Sequence, residues 1–317
     1  MLLQRGHRFA EGCLVFLLLV SFLSTAPAHG KLCGDDVGGR DIACGCGDVV
    51  VSDVVLGDED PVTRETCTTH GLVVRAAETA GGLTVDLAGR TLRGEGRGAG
   101  VWVERGGAGG VRVVSSGQRA TIERFRDGVF STRGIREISD LLVRDVQRDG
   151  IHVTATGYRL EGIEVEQAGR DGLWLRGSGV ELRRVSVRGA GRYGIFAYGR
   201  EMTLGDRENP AGVWVERTGS AGIKLAGEGQ QARNCVVVGS RKEGVALRGA
   251  DFEVVGCEVW GSRKEGIAGL LDSGWFVGNR ASGNGEDGIR VRGPGVVDGG
   301  GNSADRGCFL GGKPCAE

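Results

Sequence analysis

The sequence repeats one short pattern, glycine followed by alternating apolar and variable residues, at Gly150-Ile151-His152-Val153, Gly172-Leu173-Trp174-Leu175 and Gly194-Ile195-Phe196-Ala197. The pattern also begins at Gly71, Gly100, Gly128, Gly222, Gly244, Gly266 and Gly288. From Gly128 onward the glycines are spaced by 22, 22, 22, 28, 22, 22 and 22 residues, and the hexapeptide GSRKEG occurs at both 239–244 and 261–266. Self-similarity at a fixed period is typical of repeat architectures.

The rest of each repeat keeps the same period. The residues ten after the glycine are apolar: Ile138, Leu160, Leu182, Leu204, Ala232, Val254 and Phe276. Further on, β-branched residues alternate with polar ones, which indicates short strands with one buried face. A propeller blade needs about 40 residues, whereas one coil of two or three short strands fits a repeat of this length. We therefore predict an all-β fold, a parallel β-solenoid of about nine or ten coils with a 22-residue repeat.

The composition excludes several other classes of protein. The chain has 61 glycines and 5 prolines among 317 residues but no Gly-X-Y period, so it is not collagen. Its net charge of −1 gives no reason to expect a nucleic-acid partner.

The N-terminus has the layout of a secretory signal peptide. Arg5 and Arg8 precede an apolar run from Cys13 to Val20, and Ala26-Pro27-Ala28 is a small-x-small cleavage signature. The run is short for an uncleaved membrane anchor, which is the alternative. We expect a signal peptide over 1–28 and a mature chain without a membrane span, secreted, periplasmic or on the cell surface.

Eight cysteines remain after cleavage, and an even number in an exported protein indicates disulfides. Their positions suggest the pairs Cys33–Cys44, Cys46–Cys67 and Cys308–Cys315 as staples of two caps, 29–70 and 296–317, around a β-helix of 71–295. Many other pairings are open, and a zinc site is the alternative. Cys235 and Cys257 share an inward column on adjacent coils, and we interpret them as buried thiols.

The repeats resemble those of the right-handed parallel β-helix superfamily, which includes pectate lyases. The stretch Leu83–Leu92 (LTVDLAGRTL), which follows the cysteines of 44–67, is similar to the N-terminal part of many exported bacterial members. The resemblance implies the fold over roughly residues 45–305 but no particular reaction, because the superfamily hosts lyases, hydrolases, epimerases and adhesins.

One outward column of the predicted helix is rich in aromatic residues. If the residues one and three after each glycine point inward, the residue two after it points outward. That column reads Trp102, Phe130, His152, Trp174, Phe196 and Lys224. Exposed aromatic stripes mark binding sites, so we predict that Trp102, Phe130, Trp174 and Phe196 contact successive sugars of a polysaccharide. The alternative is that a loop, such as the insertion at 205–211, covers the column.

Polar residues beside this column could support catalysis. A lyase or epimerase acting on uronic acids needs a base at the sugar C5 proton and a cation at the carboxylate. His152 or Tyr198 could supply the first, and Arg176 or Lys224 the second. The Asp-Pro-His-Asp motif of related epimerases is absent, since Asp60-Pro61 continues as Val62-Thr63.

Acidic residues precede several of the repeat glycines, at Asp127, Asp149, Asp171, Glu243, Glu265 and Asp287. Stacked carboxylates could bind Ca²⁺. Because most of them follow an arginine or lysine, we favour solvated turn charges that compensate one another, and expect no cofactor, with calcium as the alternative.

Three functions therefore stay open. The first is recognition of an extended polysaccharide along the aromatic column. The second is a polysaccharide lyase or epimerase acting on uronic-acid polymers, and the third is a structural or protein-binding surface solenoid. The sequence does not indicate an oligomeric state.

Overall fold

The structure is a computed structural model that describes residues 30–77, 81–206 and 212–316. The predicted signal peptide lies outside the described residues, as do residues 207–211 of the insertion. The strands of the first half are β1 (Leu32–Cys33), β2 (Asp48–Val50), β3 (Val54–Val55), β4 (Thr66–Cys67), β5 (Leu72–Arg75), β6 (Leu83–Asp86), β7 (Thr91–Gly94), β8 (Ala99–Arg105), β9 (Val111–Val114), β10 (Ala120–Glu123), β11 (Asp127–Ser131), β12 (Ile135–Val146), β13 (Ile151–Thr154), β14 (Arg159–Ala168), β15 (Leu173–Ser178) and β16 (Glu181–Arg188).

The second half continues the series. Its strands are β17 (Ile195–Arg200), β18 (Thr203–Leu204), β19 (Val213–Glu216), β20 (Ile223–Glu228), β21 (Gln231–Arg233), β22 (Cys235–Val238), β23 (Val245–Ala250), β24 (Phe252–Val255), β25 (Glu258–Trp260), β26 (Ile267–Leu271), β27 (Ser273–Val277), β28 (Arg280–Ser282), β29 (Ile289–Arg292), β30 (Gly295–Asp298), β31 (Ser303–Ala304), β32 (Cys308–Leu310) and β33 (Lys313–Pro314). One 3₁₀ turn, Pro61–Thr63, accompanies them.

The strands stack into two long sheets. Sheet 1 has 14 strands in the order β1-β2-β5-β8-β11-β13-β15-β17-β20-β23-β26-β29-β32-β33, and sheet 2 has 19. From β2 to β31, each coil contributes one strand to sheet 1 and one long or two short strands to sheet 2. Pairing between coils is parallel, as between β13 and β15, where Ile151 lies beside Leu173. The strand pairing confirms the predicted parallel β-helix.

The solenoid has about 12 turns rather than the nine or ten predicted. The difference arises at the ends, where β1 and β2 extend sheet 1 before Gly71 and β32 extends it after Gly288. A glycine precedes each of these strands in register with the repeat glycines, at Gly30, Gly47 and Gly307, but the spacings of 17, 24 and 19 residues differ from the 22-residue period by which the coils were counted. At the C-terminal end, β33 turns back antiparallel on β32 and covers that edge of the sheet.

The interior consists of columns of identical or similar apolar side chains. Val129, Ile151, Leu173, Ile195 and Ile223 form one column in sheet 1, and all are fully buried. The predicted second set from Ile138 to Phe276 is fully buried as well. This burial confirms the predicted alternation of inward and outward residues.

Four disulfide bonds join described cysteines. Cys33–Cys44, Cys46–Cys67 and Cys308–Cys315 are paired as predicted. The interpretation of Cys235 and Cys257 as thiols was wrong, because the two form a disulfide with their Cα atoms 4.5 Å apart. Cys257 precedes β25, and its N–H donates to the Asn279 side chain. The regular pairing of β22 with β25 begins one residue later, at Val236 and Glu258, so the side chains of Cys235 and Cys257 need not point in parallel directions. Disulfides are typical of oxidising compartments.

Candidate functional site

The predicted aromatic column lies on the outer face of sheet 1 as expected. Its residues are direct neighbours on successive strands: Trp102 on β8, Phe130 on β11, His152 on β13, Trp174 on β15, Phe196 on β17 and Lys224 on β20. Each is partly exposed. We call the five rings from Trp102 to Phe196 the aromatic ladder.

The four rings from Phe130 to Phe196 pack on one another in sequence. The centroid of His152 lies 4.0 Å from that of Trp174 and 4.9 Å from that of Phe130, and Trp174 lies 6.0 Å from Phe196. The planes of these pairs are inclined by 19° to 39°. Since the ring faces are turned toward their neighbours, the ladder presents mainly ring edges to solvent.

Each end of the ladder is closed by a further side chain that the sequence analysis did not single out. His70 stacks on Trp102 at 4.8 Å, and burial, followed by the charge of Arg126, lowers the pKa of His70. At the other end Tyr193 stacks on Phe196 at 5.6 Å, and Lys224 Nζ lies 5.2 Å from the centre of the Tyr193 ring. These contacts fix the positions of the terminal rings.

His152 is held by a buried aspartate. Its Nδ1 lies 2.9 Å from Oδ2 of Asp149, which is fully buried and also accepts hydrogen bonds from Nε and a terminal nitrogen of Arg170 at 2.8 and 2.6 Å. Burial acts to raise the pKa of Asp149, but the hydrogen bonds from His152 and Arg170 outweigh it and leave the pKa below its ordinary value.

This contact determines which nitrogen of His152 can act as a base. An ionised carboxylate only accepts hydrogen bonds, so Nδ1 of His152 must donate to Asp149. In the neutral ring the lone pair is then on Nε2. Within the described part of the chain, Nε2 has no hydrogen-bond partner. The sequence analysis noted Asp149 and His152 in separate columns, and their spacing of three residues was the signal that could have joined them.

The expectation of solvated acidic turns was wrong for three of the aspartates. Asp127, Asp149 and Asp171 are fully buried. The expected compensation by arginine is present, but for Asp149 and Asp171 the main partners come from the next coil, as Arg170 and Arg192. A cluster of three or more His, Cys, Asp or Glu side chains suited to a metal ion is not found among residues 30–77, 81–206 and 212–316.

Beyond Lys224 the ladder continues into a groove of about 330 Å³ on the same face. The outward residues that follow Lys224 are Ala246 on β23 and Ala268 on β26, which leave an open floor. The groove is lined by Tyr193, Ser220, Ala221, Lys224, Lys242, Glu243, Ala246, Leu247, Lys264, Ala268 and Gly269. We call it the lysine groove. Its only carboxylate, Glu243, lies 3.7 Å from Lys264.

The structure brings some of the predicted catalytic residues together and separates others. Arg176 and Tyr198 are neighbours in the next outward column, with the guanidinium 5.6 Å from the ring centre. Arg176 is also one coil from His152. Lys224 is three coils from His152, about 14 Å between backbone positions at ~4.8 Å per strand, so of the two predicted cations Arg176 lies closer to His152 along the sheet.

The described residues contain no helix that is long and apolar enough to span a membrane.

Comparisons with known proteins find likeness in structure only. No family model and no curated protein sequence matches the chain. Among solved structures, the A-module of mannuronan C-5 epimerase AlgE4 from Azotobacter vinelandii matches with 16% identity and a TM-score of 0.43, over 76% of this chain and 70% of that one. The catalytic unit of a GH87 alpha-1,3-glucanase from Streptomyces thermodiastaticus matches with 12% identity and a TM-score of 0.43, over 89% and 71%. Pectate lyase Pel9A matches with 12% identity and a TM-score of 0.45, over 82% and 68%.

At these identities the likeness extends to the fold alone. The chain's own strand pairing identifies it as a parallel β-helix with disulfide-bonded ends.

Proposed function

We propose that the outer face of sheet 1 binds an extended acidic polysaccharide along the solenoid axis. The observation that carries the proposal is the continuity of the aromatic ladder with the lysine groove in one outward column. Each coil advances by ~4.8 Å, and a sugar residue in an extended chain has a similar length. A glycan lying along the column would therefore meet an equivalent position on every coil.

The stacked geometry of the ladder determines what a sugar would contact. Flat stacking on successive rings is not available inside the ladder, because neighbouring rings occupy the faces. Ring edges carry the positive part of the aromatic quadrupole and attract oxygen atoms. We therefore assign the ladder to contacts with sugar hydroxyls, and the exposed ring of Tyr198 to stacking with a sugar face.

The lysine groove supplies the preference for acidic sugars. Lys224 contacts the hydroxyl of Tyr193 at 3.3 Å and the ring faces of Tyr193 and Phe196. None of these contacts neutralises its charge, and in the described chain no carboxylate lies within 4.0 Å of its Nζ. A hydrogen bond to a charged group contributes about 1.5–3 kcal/mol, so one uronate on Lys224 would change affinity by roughly tenfold or more.

Calorimetric titration of the purified chain with acidic and neutral oligosaccharides tests the proposal. We expect the acidic series to bind, and Lys224→Gln and Phe196→Ala each to weaken binding about tenfold. Trp275→Ala is the matched control, because Trp275 is an exposed tryptophan of sheet 2. Equal losses in Trp275→Ala, or no binding by the wild-type chain, would contradict the proposal.

A second candidate is a lyase or epimerase, favoured by the contact between Asp149 and His152. Nε2 of His152 would take the C5 proton of a uronate while Arg176 neutralises its carboxylate. In a lyase the released electrons form the C4–C5 double bond, the C4–O bond breaks, and the departing oxygen takes a proton from water to become the hydroxyl end of the other fragment. In an epimerase a proton returns to C5 from the other face.

Absorbance of unsaturated sugar ends, together with proton exchange at C5, distinguishes this candidate from simple binding. For an enzyme we expect His152→Gln to abolish turnover while oligosaccharide binding stays measurable, weakened no more than in Phe196→Ala, since the glutamine keeps a hydrogen-bonding group at this position of the ladder. A chain that binds acidic oligosaccharides without any product or exchange leaves the first proposal alone.

A further inference from the structure

The turns that precede β23 and β26 place like charges on top of one another. Each turn carries the sequence Ser-Arg-Lys-Glu, at 240–243 and 262–265. The N–H of Arg263 donates to the carbonyl of Ser240, and the N–H of Lys264 donates to that of Lys242. The coils are thus in register, with Arg241 above Arg263 and Lys242 above Lys264 at about 4.8 Å per coil.

At several other positions of the solenoid, adjacent coils pair opposite charges, and the stacked arginines from Arg126 to Arg192 are accompanied by buried aspartates. Arg159 lies over Glu181 with an ion pair of 3.3 Å, and Arg200 lies over Glu228 with one of 3.4 Å. At the Ser-Arg-Lys-Glu turns, by contrast, only Lys264 has such a partner, in Glu243. For Arg241 and Arg263 the described residues provide no carboxylate within 4.0 Å. Like charges opposite one another destabilise a sheet, so a bound anion would relieve this arrangement.

A groove lies against these arginines. Its volume is about 420 Å³, and it is lined by Gly189, Ala190, Gly191, Arg217, Thr218, Gly219, Gly239, Ser240, Arg241, Gly261 and Arg263. Three of these side chains are cationic and none is acidic, and the glycines leave the backbone uncovered. We call it the arginine groove. It shares no lining residue with the lysine groove.

The donors in the arginine groove are the guanidinium groups rather than the backbone. The N–H groups of Gly191, Gly219, Gly239 and Gly261 already donate to carbonyls of neighbouring coils. A guanidinium matches the paired oxygens of carboxylates, sulfates and phosphates. Arg217, Arg241 and Arg263 come from three successive coils. Arg217 already pairs with Glu216 at 3.1 Å, so Arg241 and Arg263 on two adjacent coils are the main anion ligands, and the groove suits an extended ligand with more than one oxyanion group.

We propose that the arginine groove is a second binding site, separate from the sheet 1 face, for a polysaccharide that carries sulfate esters or carboxylates. A single-stranded nucleic acid has the same charge but binds proteins through aromatic side chains that stack with its bases. The lining of the arginine groove contains no aromatic residue. The site goes beyond the proposed function and does not depend on it.

Calorimetric titrations with three probes test this site: a sulfated heparin octasaccharide, an oligogalacturonate of equal length and a single-stranded oligodeoxynucleotide. We expect the double variant Arg241→Gln with Arg263→Gln to weaken binding of at least one glycan probe by about tenfold or more. The first two probes distinguish sulfate from carboxylate recognition. The control Arg97→Gln with Arg280→Gln removes the same charge from exposed positions outside the groove and should change affinity less than about twofold.

The remaining outcomes overturn the inference. It fails if both double variants lose affinity equally, if neither glycan binds the wild-type chain, or if only the oligonucleotide responds to the loss of Arg241 and Arg263. Lys224→Gln separates the two sites, since it should leave heparin binding in the arginine groove unchanged. Thermal unfolding followed by circular dichroism confirms that each variant is folded.

Discussion

Replacement of a repeat glycine by alanine tests how the coils pack. Gly150→Ala would place a Cβ atom 2.5 Å from the carbonyl oxygen of Gly172 on the next coil and 2.5 Å from Cγ1 of Val165 in sheet 2. Favourable contacts between carbon atoms lie at about 3.5–4.0 Å. The valine can rotate, but the carbonyl cannot move freely because it accepts the N–H of Ile151 at 3.0 Å.

We therefore expect Gly150→Ala to destabilise the fold by about 2–3 kcal/mol, the upper range for overpacking. For a chain of this size, that corresponds to a loss of roughly 3–5 °C in Tm by differential scanning calorimetry. Gly81→Ala is the control, because its Cβ would meet nothing within 4 Å. A Tm for Gly150→Ala equal to that of Gly81→Ala would refute the account of the repeat glycine.

Two further predictions concern buried groups. Asp149→Asn should destabilise the chain by roughly 1.5–3 kcal/mol at pH 7, because it removes the charged acceptor of the hydrogen bonds from His152 and Arg170, whereas the partly exposed Arg170 keeps Asp171 at 3.6 Å. The pKa of Asp149 is lower in the folded chain than in the unfolded chain. The ionised carboxylate therefore stabilises the fold at pH values above the unfolded pKa of about 3.9, and this stabilisation is lost as the pH falls through the folded pKa. The Tm difference between wild type and variant should therefore narrow below about pH 4, and a constant difference would contradict the burial of an ionised carboxylate. For Cys235 and Cys257, alkylation of the unfolded, unreduced mature chain should label no thiol, and two labelled cysteines in a mass spectrum would show that the pair is reduced. Replacing both with alanine should cost about 3 kcal/mol by the loop-closure estimate, measured by urea unfolding.

Much of the fold follows from local rules that the sequence displays. The glycine spacing and the period of two place each inward residue in its column, and the columns from Val129 to Ile223 are buried as expected. The coil number was underestimated because the glycines before β1, β2 and β32 lie 17, 24 and 19 residues from the neighbouring repeat glycine instead of 22. A count based on one fixed period misses coils whose turns are shorter or longer.

In the candidate site, too, some features follow from the sequence of each coil, and others depend on contacts between coils. The order of the aromatic ladder could be predicted, because register copies one position from coil to coil. The direction of the ring faces could not, since it depends on how each ring meets the next. Similarly, the hydrogen-bonded partner of Asp149 is Arg170 on the following coil, at 2.6 Å, whereas its chain neighbour Arg148 lies 3.8 Å away, so burial of the acid was missed.

The most direct test of the central claim is a crystal structure of the mature chain with a bound acidic hexasaccharide. We expect the sugar chain to run parallel to the solenoid axis on the outer face of sheet 1, with a carboxylate at Lys224 and sugar rings over Ala246 and Ala268. Sugar bound only to sheet 2 or to the ends of the solenoid would contradict the claim, as would an empty sheet 1 face at a concentration that saturates binding in solution.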